Sequence, residues 1–231
     1  MLGLDSKISR KIIHVLSGTG FMLCWPLFGD SVYSRLLACI IPLLNGLRIL
    51  LLGIGYFQDS LALKSISRTG AFCEDSSELE PRFLKVLFTA MCDAGAREEI
   101  LRGPFVYVIM LAVMTVAFWR DSPIGIIALS AMCGGDGMAD IVGRRLGHLG
   151  ALPWNKQKSW IGSLAMFITT SILSILLLKF FGAIGTLDSS INLAGILTVS
   201  LIATFVESLP IPVDDNISVP TAAAISASVL L

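Results

Sequence analysis

Charge is scarce in this sequence of 231 residues: Lys, Arg, Asp and Glu supply 15% of it, where an average soluble domain carries about 25%. So few ions cannot clothe a chain of this size in a water-facing surface, and 55% of the residues are hydrophobic. Lipid must cover the outside. No excess of one sign exists either. The 17 basic residues balance the 17 acidic ones, so nucleic acid finds no electrostatic footprint and is not expected as a partner. Paired cysteine spacing is absent: Cys24, Cys39, Cys73, Cys92 and Cys133 are dispersed, which argues against a zinc site or a disulfide framework and leaves free thiols. A G-x-x-x-x-G-K-S/T loop is also missing, so nucleotide binding by a P-loop is excluded at motif level. Too few residues precede the first apolar run to form a transit peptide. Targeting is internal, or a leader lies upstream.

What the sequence does have is apolar length. Runs over 12–28, 36–56, 104–119, 124–142, 161–181 and 193–209 approach or exceed the roughly 17–20 residues that a spanning helix needs, and a seventh over 219–231 is shorter. They are continuous rather than alternating, which argues against a closed barrel. The expectation is an all-α, polytopic integral membrane protein with six to seven transmembrane helices, forming one membrane-embedded domain over 1–231. Positive charges gather in alternate loops: Lys7, Arg10 and Lys11; then Lys64, Arg68, Arg82, Lys85, Arg97 and Arg102; then Arg144, Arg145, Lys156 and Lys158. That alternation orients the spans, and by parity it puts Asp214 and Asp215 on the positive side as well.

Inside span four, Asp136, Asp140 and Arg144 stand four residues apart, so a helix brings them to one face aimed at the positive side. A carboxylate near hydrocarbon costs about 3 kcal/mol, and two on one face repel, so a cation must lie nearby. Arg144 could serve as that cation in a structural ion cluster; alternatively Asp136 and Asp140, with Asp214 and Asp215, hold Mg²⁺, which takes carboxylates together with substrate phosphates. Gly134, Gly135 and Gly137 either leave room for a phosphate or pack helices together. Lys158 and Ser159 open span five, where helix amides beside a Lys and a hydroxyl suit an anion. Asn45 and Arg48 lie within span two, and Glu207 joins Asp214, Asp215 and Asn216 in a segment where Pro210, Pro212 and Pro220 are expected to enforce a sharp loop. Glu98, Glu99 and Arg102 precede a helix start at Gly103-Pro104. His14, alone near a span end, reads as structural. Acids from separate spans and several cations on one side form the inventory for phosphoryl transfer.

These residues carry a resemblance. Ser9-Arg10-Lys11-Ile12-Ile13-His14, Asn45-Gly46-Leu47-Arg48, Glu98-Glu99-Ile100-Leu101-Arg102-Gly103-Pro104, the run 133–147, the run 155–166 and Glu207-Ser208-Leu209-Pro210 with Asp214-Asp215-Asn216 resemble the plant phytol and farnesol kinases of the polyprenol kinase family. The resemblance implies transfer of the γ-phosphate of CTP to phytol or a related isoprenoid alcohol, in a chloroplast membrane or the endoplasmic reticulum, in phytol salvage for tocopherol synthesis. No protein partner is implied. The site residues would be Asp136, Asp140, Lys158 and, as base, Glu99; Arg144, Arg145, Ser159, Asn45, Arg48 and Asn216 would join the three glycines around the nucleotide. A stretch at about 71–95 departs from the family's pattern, as a surface helix or a translated intron. Two other readings remain: a CTP-dependent cytidylyltransferase making a CDP-lipid, and an ion-coupled transporter, for which inverted repeats are expected but not seen.

Overall fold

Each apolar run becomes helix wherever the chain is described in this computed structural model, which covers residues 6–29, 31–53, 101–187 and 192–231. The helices are α1 (Ser6–Leu23), α2 (Val32–Gly53), α3 (Val106–Ala117), α4 (Pro123–Leu129), α5 (Gly137–Leu146), α6 (Trp160–Ala183), α7 (Leu193–Ser208) and α8 (Asp215–Leu230). No strand occurs among the described residues; Ala151 and Ser159 form an isolated bridge. Local chemistry sets the helix starts. Pro123 opens α4, where its missing N–H costs nothing. Ser159 and Asn192 cap α6 and α7 by accepting from the amides of Gly162 and Gly195.

Three helical stretches are long and apolar enough to cross a membrane: Tyr33–Leu51, Pro123–Leu146 and Trp160–Ala183. At 24 residues each, the last two reach about 36 Å, beyond the roughly 30 Å of a hydrocarbon core. Gly103–Ala117 and Leu193–Ser208 are shorter apolar helices. Pro123–Leu146 is the centre of the bundle, 78% buried against 39% for Trp160–Ala183 and 33% for Tyr33–Leu51. It is not uniformly α-helical: Ser130–Asp136 is a π-helical stretch that joins α4 to α5. Such widened turns leave backbone groups for outside partners.

The helices are built inside-out relative to a water-soluble bundle. On α6, Leu164, Ile168, Ile172 and Leu176 recur every fourth residue on the outside, while Gly162, Thr170, Ser171 and Ser174 face inward. On α7, Leu193, Leu197, Leu201 and Phe205 point out and Gly195, Ser200, Ala203 and Thr204 point in. Small and hydroxyl side chains at the contacts with bulky apolar ones outside are the pattern of helices packing in lipid. One end of the bundle closes on an aromatic cluster, with the rings of Trp25 and Trp119 5.2 Å apart and those of Trp25 and Phe181 6.1 Å apart.

Two expectations need correction. Pro220 does not shape a loop but lies buried within α8, its ring in the second turn, where the carbonyl four residues earlier loses its usual donor. The short seventh run is therefore part of a longer helix that starts at Asp215 and has 16 residues. Pro210 and Pro212 alone belong to the connection.

Candidate functional site

The end of the bundle opposite the aromatic cluster gathers charge from six segments of the chain. Asp136 ends the π-helical stretch, a position where the wider backbone and three glycines let neighbouring helices close in. A Cβ on Gly134 would stand 2.5 Å from Leu173 Cδ2, one on Gly135 2.2 Å from Thr170 Oγ1, and one on Gly137 2.3 Å from Val15 Cγ2. The space these glycines leave is thus filled by α6 and α1, not kept for a phosphate, and of the two readings the packing one fits. Asp136 itself is 3% exposed.

Lys11 of α1 supplies the counterion. Its Nζ donates to Asp136 Oδ2 at 2.8 Å and lies 4.0 Å from Asp140 Oδ2. Asp136 and Asp140 thus share one cation, as their spacing of four residues predicts, and Asp140 Oδ1 accepts from Arg144 Nε at 2.9 Å. Lys11, read from the sequence as an orientation charge, belongs to the cluster instead. His14, one turn further along α1, donates from Nε2 to the Met132 carbonyl at 3.2 Å, inside the π-helical stretch, and stacks at 3.7 Å on Tyr107. Its Nε2 is also 3.9 Å from Asp136 Oδ2. Tyr107 in turn donates to the His14 carbonyl at 2.9 Å.

The second cation comes from the loop before α6. A tight hairpin, in which Leu152 N–H donates to Lys158 O at 3.0 Å and Trp160 N–H to Gly150 O at 3.1 Å, turns Lys158 inward. Trp154 Nε1–H and Asn155 Nδ2–H both donate to Ser208 O, at 3.1 and 3.3 Å, tying the hairpin to the end of α7. Lys158 Nζ then donates to Glu207 Oε1 and, at 2.7 Å, to Asp215 Oδ2. Burial opposes the charge on Lys158, but the carboxylates of Glu207 and Asp215 outweigh it and raise its pKa above the ordinary lysine value. The ammonium stays charged at any physiological pH.

The carboxylates that converge are Asp136, Glu207 and Asp215, each with an oxygen within 4.8 Å of the others. This set differs from the expected one of Asp136, Asp140, Asp214 and Asp215. Asp140 turns to Arg144 and Lys11, and Asp214 spends its Oδ1 capping α8, where it accepts from Asn216 N at 2.9 Å and Asn216 Nδ2 at 2.8 Å. Glu207 takes their place, 2% exposed, although it sat among the polar residues visible in the sequence. Its Oε2, together with Asp140 Oδ2 and Asn216 Oδ1, is buried without a hydrogen-bond partner among the described residues. A donor set of oxygens alone, with orphaned lone pairs, suits a hard divalent cation.

Other expected members fall elsewhere. Ser159 is buried as the α6 cap, its Oγ accepting from Gly162 N at 3.2 Å. Arg145 is exposed on α5, and Asn45 and Arg48 are exposed on α2, which packs chiefly on α3 and the π-helical turn Leu101–Phe105. Glu98, Glu99 and the stretch at about 71–95 lie outside the described residues, as do Cys73 and Cys92; Cys24, Cys39 and Cys133 are free thiols.

The chain is 45% identical over 230 residues to a protein of Triticum aestivum named "Probable phytol kinase, chloroplastic", covering 98% of this chain and 68% of that one. It belongs to the phytol kinase and farnesol kinase family. "Phytol kinase 1, chloroplastic" of Arabidopsis thaliana is 41% identical over 228 residues, covering 97% of this chain and 66% of the relative, and "Farnesol kinase, chloroplastic" of the same plant is 36% identical over 229, covering 98% and 66%. This member thus spans about two thirds of the length of those kinases. No family model and no solved structure matches it.

Proposed function

We propose that this chain is a membrane-embedded kinase that transfers the γ-phosphate of CTP to a long-chain isoprenoid alcohol, phytol first and farnesol or geranylgeraniol next. The observation that carries the reading is the convergence of Asp136, Glu207 and Asp215 with Lys11 and Lys158 at one end of an apolar bundle, in a chain whose relatives are named for such kinases. Phosphoryl transfer asks mainly for positioning and charge neutralisation, and this set can provide both.

In the proposed reaction the alcohol oxygen forms a bond to the γ-phosphorus, the bond from that phosphorus to the β–γ bridging oxygen breaks, CDP leaves with that oxygen, and the hydroxyl proton passes to a carboxylate or to water. Mg²⁺, held by Asp136, Glu207 and Asp215 with Asp140 at their flank, would supply charge neutralisation on the phosphates. Lys11, Lys158 and Arg144 can contribute positive charge beside it. The alcohol enters sideways from lipid, its tail between helices. Six to seven spans in a chloroplast membrane, or in the endoplasmic reticulum, complete the proposal, with phytol salvage for tocopherol synthesis as the setting.

Membranes containing the chain, given γ-labelled CTP and phytol, should yield labelled phytyl phosphate. Asp136→Asn and Glu207→Gln should each abolish that label while the protein still inserts. Full activity in both variants refutes the assignment, and CDP-lipid formed from CTP and phosphatidate would point to a cytidylyltransferase.

A further inference from the structure

Between α7 and α8 an apolar groove of about 410 Å³ runs away from the charged end, lined by Ile202 of α7 and by Ala222, Ile225, Ser226, Val229 and Leu230 of α8. Its relation to the carboxylates follows from helix geometry. Ala222, Ser226 and Val229 stand 7, 11 and 14 residues after Asp215, close to two, three and four turns of about 3.6 residues each, so they share its face. With a rise of about 1.5 Å per residue, they lie roughly 10, 16 and 21 Å from Asp215 along the axis. Asp215, its side chain 36% exposed, stands on the same face about two turns before the first groove residue of α8, Ala222. Ile225 and Val229, 63% and 79% exposed, leave the side of the groove open to the surrounding lipid.

We infer that this groove seats the hydrocarbon tail of the alcohol, with the hydroxyl at Asp215 and the far end at Val229 and Leu230. The inference rests on the alcohol-kinase reading and names the place where that substrate binds. An extended chain advances about 1.3 Å per carbon–carbon bond of ~1.5 Å. A twenty-carbon isoprenoid, with sixteen carbons in its main chain, therefore spans roughly 19 Å and reaches Val229, whereas a fifteen-carbon one spans roughly 14 Å and stops short of Ser226. The branches fit as well. Isoprenoid methyls recur every fourth carbon, or about 5 Å, near the helix pitch of about 5.4 Å at which Ala222 and Ser226 present small side chains. A straight acyl chain has no branches to place there.

The test is a set of bulky substitutions read against chain length. Val229→Phe should raise the KM for a twenty-carbon alcohol about tenfold while leaving fifteen- and ten-carbon alcohols unchanged. Ala222→Phe should raise the KM for the twenty- and fifteen-carbon alcohols, with kcat for the ten-carbon alcohol retained. An equal effect on every chain length, or no effect, overturns the inference. A second measurement needs no turnover: a twenty-carbon isoprenoid alcohol with a terminal diazirine, photolysed in phosphatidylcholine vesicles, should label Val229 or Leu230, and unlabelled phytol should suppress the label. Labelling elsewhere, or equal suppression by a straight-chain alcohol, makes the groove a general lipid seat and overturns the inference. A chain that transfers no phosphate yet shows the phytol-sensitive label would fail as a kinase and keep the groove.

Discussion

Removing the Lys158 ammonium strikes a group that bonds both Glu207 and Asp215. In Lys158→Met the stem still packs while the charge is gone. Glu207, 2% exposed, then has two ways to respond. If it stays ionised without a partner, breaking a buried pair costs about 3–5 kcal/mol. If it takes up a proton instead, an ordinary glutamate of pKa about 4.3 must be neutralised at pH 7, at about 1.36 kcal/mol per pH unit, or roughly 3.7 kcal/mol. The cheaper route sets the limit, so the loss at pH 7 should be about 3–4 kcal/mol. Asp215 adds little, because its side chain is 36% exposed and water can solvate it. For a chain of this length each kcal/mol moves Tm by about 2–4 °C, so a melt in detergent should drop by roughly 6–16 °C. At pH 5 protonation costs only about 1 kcal/mol, and most of the deficit should vanish. Adding Glu207→Gln should likewise restore most of the loss at pH 7. A Lys158→Met protein that melts with the wild type, or a double variant no more stable than the single one, refutes the reasoning.

Gly135→Ala places a Cβ 2.2 Å from Thr170 Oγ1 and should destabilise by about 1–3 kcal/mol; Thr170→Ala in the same chain should recover part of that, seen by thermal melts of the three variants. Chelation by EDTA should abolish transfer from CTP to phytol and added Mg²⁺ should restore it, whereas unchanged activity in EDTA would remove the metal from the proposal. The raised pKa of Lys158 stabilises the fold fully below the ordinary lysine value of about 10.4 and fades only as pH climbs through the higher folded value. The gap in Tm between wild type and Lys158→Met should therefore stay constant from pH 8 to pH 10, and a gap that narrows over that window contradicts the shift.

Helix positions were legible because the apolar runs are long and continuous. The run at 161–181 became Trp160–Ala183 and that at 193–209 became Leu193–Ser208, each within two residues at either end. The start of α8 was not legible, since Pro220 reads as a breaker in water-based statistics. Inside a bundle, neighbouring helices and polar side chains can absorb a lost hydrogen bond. Nor could periodicity show the π-helical stretch at Ser130–Asp136. It lies where α1 and α6 approach Gly134, Gly135 and Gly137 closely, a contact that no local pattern records.

The charged end could be located from sequence for the same reason that its pairing could not. Charged residues make up only 15% of the sequence, so each carboxylate set among apolar helices marks a place where a counterion has to be. Within one helix the partner follows from spacing, and Asp140 with Arg144 obeys it. Between helices the partner depends on how the axes cross, which is set by packing residues such as Gly135 and Gly137 rather than by the ions themselves. Lys11 therefore reaches Asp136 across 125 positions and Lys158 reaches Glu207 across 49. Asp214, the acid nearest to Asp215 in sequence, is drawn away to cap its own helix. For the ion pairs, burial is a better guide than adjacency along the chain: of the described acids on that side, Asp136 and Glu207 are the two most deeply enclosed, and each carries a lysine.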